Sequence, residues 1–548
     1  MTETNTELGP VPVSALAAAL GLGGDEVRSY GPLAAKIELS SLDRLAARPD
    51  GRVISVTSMT PTRFGEGKTT TSISLVQGLA RIGERPVLCL REPSLGPVFG
   101  IKGGGTGGGR AQLVPMEEIN LHFTGDIHAI GAANNLLAAM VDAHLLHRNE
   151  LGLDPHSISW RRCLDMDDRT LRQIILGLGG RANGIPREAG FDITAASEVM
   201  AVVAVAQDLA DLRARLGAIT VGSTFEGEPV TAEQLGAAGS MAVLLKEALK
   251  PNLVQTTEGN PALVHCGPFA NIAHGNSSLL ADRLGIKLGD YVVTESGFGA
   301  DMGFEKFVDI VCRLGGFSPS VVVLVATVQA LKHHGGDPDG GLPALERGFD
   351  NLRAALGIVR QFGLNCVVAI NRFPRDDAAD IDAAKHLANE LGAEGVAVNQ
   401  GFELGGAGTT ELAAAVVEAA VAPTELSYLY GLEQPIEQKI EAIATRAYGA
   451  AGVALSPLAR AQAEAFEARG LGGLPICMAK THLSLSHDPT WIGAPSGFTL
   501  PVRELRAYTG AGWIVAMCGD MQTMPGLPQD SAARRIDLDA AGATVGLR

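Results

Sequence analysis

The residues whose types and spacing most directly imply chemistry run from Thr60 to Thr71, TPTRFGEGKTTT. The β-branched run Val53–Thr57 precedes them and a stretch of good helix formers follows. Strand, glycine loop, helix is the setting in which backbone N–H groups turn inward on phosphate oxygens. Gly65 and Gly67 free the loop, Lys68 is placed to reach β- and γ-phosphates, and the Thr69 hydroxyl to ligate Mg²⁺. The usual phosphate-loop signature is broken at one position, where Thr62 stands in place of its first glycine. The expected nucleotide-binding residues are Thr62, Arg63, Phe64, Gly65, Glu66, Gly67, Lys68, Thr69 and Thr70, with Thr69 also the metal ligand. ATP or a related nucleotide is the expected occupant.

A second loop, Arg91 to Asp126, follows the next apolar run, Val87–Leu90. Parallel neighbours bring their carboxyl ends together, so the Arg91 guanidinium is expected in the same crevice as Lys68. There it would clamp a carboxylate or acyl phosphate through two donors. The plainer alternative is a structural pair with a carboxylate such as Glu92. The glycines of Gly103–Gly109 are expected to let backbone approach a ligand or the phosphate loop closely.

Elements able to position these residues are visible as short continuous apolar runs: Val53–Val56, Val87–Leu90, Tyr291–Thr294, Val321–Val325, Cys366–Ile370 and Val396–Val398. Continuity rather than alternation predicts strands buried on both faces. Thr69–Ile82, Asp350–Phe362 and Ile381–Leu391 between them have helical spacing, so the predicted fold is α/β with parallel strands and crossover helices. Such sheets take ligands at the carboxyl ends of their strands. The stretch from Asp154 to Glu247 is expected to be mostly helical and to form a separate lobe, and the tail from Pro495 to lack a long helix.

At 548 residues the chain has room for several domains. Its 44 Lys and Arg against 60 Asp and Glu give a formal charge of −16, which argues against sequence-independent nucleic-acid binding. An anionic ligand must therefore meet a local positive site. No apolar run close to a bilayer's thickness stands out and no basic, apolar leader opens the chain, so neither membrane insertion nor secretion is expected. Seven scattered cysteines without a C-x-x-C pair fit reduced thiols in a cytoplasmic protein.

At the two loops the sequence resembles the formate–tetrahydrofolate ligases. The likeness continues through LDMDDRTLR (Leu164–Arg172), GFDITAASEVMAV (Gly190–Val202), NPALVHCGPFANIAHGNSS (Asn260–Ser278) and YVVTESGFGADMGFEKF (Tyr291–Phe307). TVQALKHHGG (Thr327–Gly336), PICMAKTHLSLSHDP (Pro475–Pro489) and GDMQTMPGLP (Gly519–Pro528) extend it over essentially the whole chain from about residue 30. The resemblance implies ATP-dependent ligation of formate to tetrahydrofolate, with Mg-ATP and tetrahydrofolate as substrates and ammonium or potassium as activator. It also implies a homotetramer whose large phosphate-loop NTPase-like domain is joined by two more α/β domains. The corresponding expected segments are 1–130 with 300–356, 131–299, and 357–548. Lys68 and Arg91 are the catalytic residues it implies. Phe373, in INRFPRD, and Phe402 match the aromatic positions that flank the folate ring. Pro251–Pro261 and Gly267–Asn271 match the stretch beside the crevice, and Asp126 and His128 are candidates either for orienting a ligand or cation or for a polar pair and helix cap.

Several positions depart from the family pattern. Gly401–Thr409 carries Phe402 for a tryptophan, Leu404 for a lysine and Ala407 for a glutamate; Gln329 and Arg110 replace an arginine and a tyrosine; Arg63-Phe64 replaces a small, proline-containing pair. Two other readings follow from these residues. An altered paralogue would activate another acid or amine. A switch ATPase would use Arg63, five residues before Lys68, in a deviant phosphate loop. The adjacent His333 and His334 invite a zinc reading, but neighbouring loop histidines diverge and no further ligands stand at a readable spacing.

Overall fold

The computed structural model describes residues 9–101, 103–269, 271–519 and 521–547. Its centre is a twelve-stranded sheet. In chain order the strands are β1 (Val27–Ser29), β2 (Ala35–Ile37), β3 (Arg52–Ser58), β4 (Pro86–Leu90), β5 (Gly107–Gly108) and β6 (Ala111–Val114). There follow β7 (Asn252–Thr256), β8 (Pro261–Val264), β9 (Tyr291–Glu295), β10 (Pro319–Thr327), β11 (Cys366–Asn371) and β12 (Gly395–Asn399). Across the sheet the order is β1-β2-β7-β8-β4-β9-β3-β10-β11-β12, with β6 also on β7 and β5 on β6. Every neighbouring pair from β8 to β12 is parallel, and the remaining strands form an antiparallel edge.

All six strand runs read from the sequence lie in the parallel part. The cause is burial on two sides: Val53, Val87, Val292 and Val322 enter one core, while their neighbours Ile54, Leu88, Val293 and Val323 enter the other. Helices Leu279–Leu288 and Leu342–Gln361 cover the first core; α1 (Lys68–Arg81) and Thr410–Val421 cover the second. The sheet runs across the three-way division expected from the sequence. Strands β1–β6, β7–β9, β10 and β11–β12 come from all of its segments, and β9 is inserted between β3 and β4. Parallel pairing requires crossovers, so spatial neighbours are distant in sequence and linear boundaries at 299 and 356 cut one sheet.

The helical lobe begins earlier than expected. Its longest helix, α2 (Asp126–His147), precedes Asp154, whereas residues 154–193 fold as short strand pairs such as Ile174–Leu176 with Arg187–Ala189. Ile130, Leu137 and Val141 of α2 pack with Val199, Leu212 and Met241 in the lobe's own core. This helix also corrects the expectation about apolar runs: by length and composition it could cross a membrane, the one such helix among the described residues. The C-terminal tail contributes strands Glu504–Tyr508 and Trp513–Met517 to a three-stranded sheet in which Trp513–Met517 is central, parallel to Ile476–Ala479 on one side and antiparallel to Glu504–Tyr508 on the other. All seven cysteines are buried and unpaired.

Candidate active site

Strand β3 ends at Ser58 and α1 starts at Lys68, so the loop between them lies at the carboxyl end of the parallel sheet. Gly65 and Gly67 sit at φ 79° and 72°, and a Cβ on Gly67 would also fall 2.9 Å from Nδ2 of Asn371. Position 67 thus requires glycine on two counts. The Glu66 side chain is buried and tied into the loop. Its Oε1 accepts from the Thr62 amide (2.8 Å) and hydroxyl (2.9 Å), and its Oε2 from the Thr327 hydroxyl (3.0 Å). Here lies a physical reason for a threonine where glycine is usual: Thr62 is a donor that Glu66 needs. Asn371 donates to the Glu66 carbonyl (2.8 Å) and is braced by Asn399 (2.8 Å).

The loop's entrance is clamped as well. Buried Asn351 accepts from the Thr60 amide (3.0 Å) and donates to its hydroxyl (2.8 Å), while His334 Nε2 donates to its carbonyl (2.8 Å). Both side chains also hold Gly493: its carbonyl accepts from Asn351 (2.6 Å), and its amide donates to His334 Nδ1 (3.2 Å). Every polar group of Thr60 is therefore fixed, and His334 is held as the neutral imidazole, its pKa lowered to about 4 chiefly by burial. Its neighbour His333 meets the exposed ring of Phe64 edge-on, and the Arg63 guanidinium lies over the same ring at 5.0 Å.

Lys68 opens α1 and donates to Ser58 at 3.3 Å. Burial pushes its ammonium below the ordinary lysine value; Glu295 and Glu66 oppose that shift and Arg91 adds to it. A cation held in this way gains from an incoming anion. The Thr69 hydroxyl donates to Glu295 Oε2 at 2.7 Å, and the other carboxylate oxygen lies 3.8 Å from the Arg91 guanidinium. Arg91 and Lys68 are thus gathered around one carboxylate, as the pairing of β4, β9 and β3 requires. The carboxylate that Arg91 meets is Glu295 and not Glu92. Glu92 is buried away from it, near Asp126, Lys36 and Asp165, and is pushed well above the usual carboxyl range by burial. Thr70 follows at the start of α1.

Phe373 is half-buried in the loop after β11, where its amide donates to Asp376 (2.8 Å). Phe402 follows β12 and is exposed, its ring edge 3.2 Å from where a Cβ on Gly108 would stand. Its carbonyl accepts from the Arg110 amide (2.9 Å) and leaves no room for a Cβ on Gly109. The glycine cluster therefore lets backbone approach the 401–409 segment. Leu404 is exposed, and Gln329 accepts from Arg375. Asp126 forms a buried ion pair with Lys36 (2.8 Å) and accepts from Asn252 (2.8 Å), whereas His128 is exposed.

Sequence reasoning missed Glu295, Asn371, Asn399 and Asn351. For three of them a signal existed: each is a polar residue closing an apolar strand, in YVVTE, CVVAIN and VAVN. A cavity of about 940 Å³ lies elsewhere, between the helical lobe and the C-terminal strands, with Arg161, Glu198 and Tyr508 in its wall.

The parallel sheet, the left-handed glycines before α1 and the cations at the strand ends define an α/β protein that gathers a glycine turn, Lys68 and Arg91 at the carboxyl ends of its central strands. The chain belongs to the formate–tetrahydrofolate ligase family, whose model matches residues 2–548. It is 56% identical to the formate–tetrahydrofolate ligase of Roseiflexus sp. (strain RS-1), over 98% of this chain and 97% of that one. Identity is 53% to the enzyme of that name from Saccharopolyspora erythraea and 51% to that from Desulforamulus reducens, at the same coverage.

Proposed function

We propose that this protein joins formate to tetrahydrofolate at the expense of ATP, giving 10-formyltetrahydrofolate, ADP and phosphate. The observation that carries the reading is the meeting of Thr69 and Arg91 at Glu295, whose charge Lys68 also feels, beside a glycine loop whose Thr62 and Glu66 side chains are already bonded within the protein. Formate is a poor acyl donor, because its oxygens leave badly. Transfer of the γ-phosphoryl group to a formate oxygen makes formyl phosphate, whose carbonyl carbon is open to the N10 amine; the new carbon–nitrogen bond then expels phosphate. Lys68 offsets charge on the transferring group, and Arg91 holds formate in line and then grips formyl phosphate. Oxygen donors such as the Thr69 hydroxyl suit Mg²⁺, which would draw charge off the phosphates when bound with the nucleotide.

Phe373 and Phe402, on successive loops at the strand ends, are the proposed walls for the folate ring. The Arg63-Phe64-His333 stack is the proposed rim of the nucleotide subsite, with Gly65, Gly67 and Thr70 supplying backbone donors and Glu66 and Thr62 holding the loop's shape. A phosphate-loop NTPase-like central domain, activation by ammonium or potassium, a homotetramer and a cytoplasmic setting complete the reading, with neither nucleic acid nor membrane as a partner. Phe402, Leu404, Ala407 and Gln329 favour a second possibility, an altered paralogue with another acid or amine as substrate.

The deciding experiment measures ADP formation from Mg-ATP with formate and tetrahydrofolate omitted in turn, together with absorbance of the acid-formed methenyl derivative. ADP and methenyl product rising together only with both substrates present is the expected result. ADP without folate product would replace the ligase reading with the paralogue.

A further inference from the structure

Glu295 is the residue that the sequence did not single out and on which the candidate site converges. It closes β9 between β4 and β3, the strands that deliver Arg91 and the glycine loop. Its two oxygens have different tasks. Oε2 accepts a hydrogen bond from the Thr69 hydroxyl at 2.7 Å, so the hydroxyl's lone pairs face away from the carboxylate and stay open to a cation. Oε1 stands 3.8 Å from the Arg91 guanidinium, near enough for attraction and too far for a hydrogen bond. Arg91 is therefore oriented by charge while its N–H donors remain available for a small anion. Two residues on, Gly297 completes the cradle: a Cβ there would lie 2.9 Å from both Arg91 terminal nitrogens, so the guanidinium lies against bare backbone.

We propose that Glu295 is a positioning residue that couples the divalent cation carried with the nucleotide to the formate clamp. It sets the Thr69 oxygen toward the cation, adds negative charge beside it, and holds Arg91 for the carboxylate that is to be phosphorylated. The inference rests on the ligase reading above. It predicts a pair of effects with opposite signs in Glu295→Gln, which keeps an acceptor for Thr69 and removes the charge. The cation site loses a negative neighbour, whereas a metal-free polyphosphate loses a repulsive one.

The test uses the full-length protein, with Mn²⁺ as the probe cation and ADP as the nucleotide. Mn²⁺ binding in the presence of ADP is read by electron paramagnetic resonance, and metal-free ADP binding by calorimetry in chelator. Glu295→Gln is expected to weaken Mn²⁺ about tenfold, leave metal-free ADP binding unchanged or tighter, and raise the formate KM about tenfold. Glu295→Asp, which keeps the charge on a shorter stem, should recover the Mn²⁺ affinity better than the formate KM. Unchanged Mn²⁺ affinity in Glu295→Gln, or equal weakening of metal-free ADP, overturns the proposal; the latter marks a general structural lesion. If the wild type itself binds no ADP, the failure belongs to the ligase reading and not to Glu295.

Discussion

Lys68 is a cation whose protonation the fold resists. Its pKa is lowered by burial, and an anionic ligand favours the protonated form, so ligand binding must raise that pKa again. Nucleotide affinity is therefore expected to fall as pH rises through the lowered Lys68 pKa, with proton uptake on binding around that pKa. Calorimetry in buffers of differing ionisation enthalpy measures the uptake directly. Lys68→Arg, whose charge does not titrate there, should bind without it; equal uptake in both proteins would place the proton elsewhere. Lys68, Thr69 and Arg91 were legible in the sequence because their types and spacing carry their chemistry. Glu295 was not, since one carboxylate among 60 acidic residues acquires meaning only when β9 lands between β3 and β4.

Among the elements, the segment of most consequence outside the sheet is the C-terminal stretch around Gly493. Asn351, from helix Leu342–Gln361, bonds Thr60 and Gly493 at once, and His334 does the same from the end of helix Val328–His334. The entrance to the glycine loop is thus shaped by a residue more than 400 positions away. Asn351→Leu, close in volume but without donors or acceptor, leaves buried groups of Thr60 and Gly493 unpaired, at about 1–3 kcal/mol each. It is expected to lower the thermal midpoint by several degrees and weaken nucleotide binding roughly tenfold. Calorimetric melting and titration check both, and nucleotide affinity unchanged at a lowered midpoint would limit the clamp to stability. The strands and flanking helices that carry these contacts were legible, because burial on both faces leaves a continuous apolar run. The clamp was not, since hydrogen bonds across such separations leave no local pattern.

For the whole molecule, the helical lobe and the C-terminal sheet are joined through Glu198, a buried carboxyl that accepts from the amides of Gly510 (2.8 Å) and Ala511 (3.3 Å). Burial outweighs those bonds and pushes its pKa from 4.5 up to about 7. The fold thereby prefers the protonated acid. As pH rises the unfolded chain loses this proton first, so the contribution to stability declines from about pH 4.5 until about pH 7 and is level beyond. Glu198→Gln keeps an acceptor and cannot ionise. Relative to wild type it should gain stability across that window, by an amount on the order of 3 kcal/mol. Denaturant unfolding of both proteins at several pH values measures the difference, and a constant difference would show that Glu198 stays ionised.

What the sequence by itself determined is what short-range physics encodes. The strands follow from apolar runs, α1 from its helix formers, the turn before it from Gly65 and Gly67, and the place of Lys68 at the head of α1 from that turn. What only the tertiary structure decided is which distant pieces become neighbours. Crossover connections drew all the expected segments into a single sheet, put Glu295 between Thr69 and Arg91, turned Glu66 inward and brought Gly493 to Thr60. A parallel sheet pairs strands without regard to their distance along the chain, so its order, and every contact that depends on that order, is settled by packing in three dimensions.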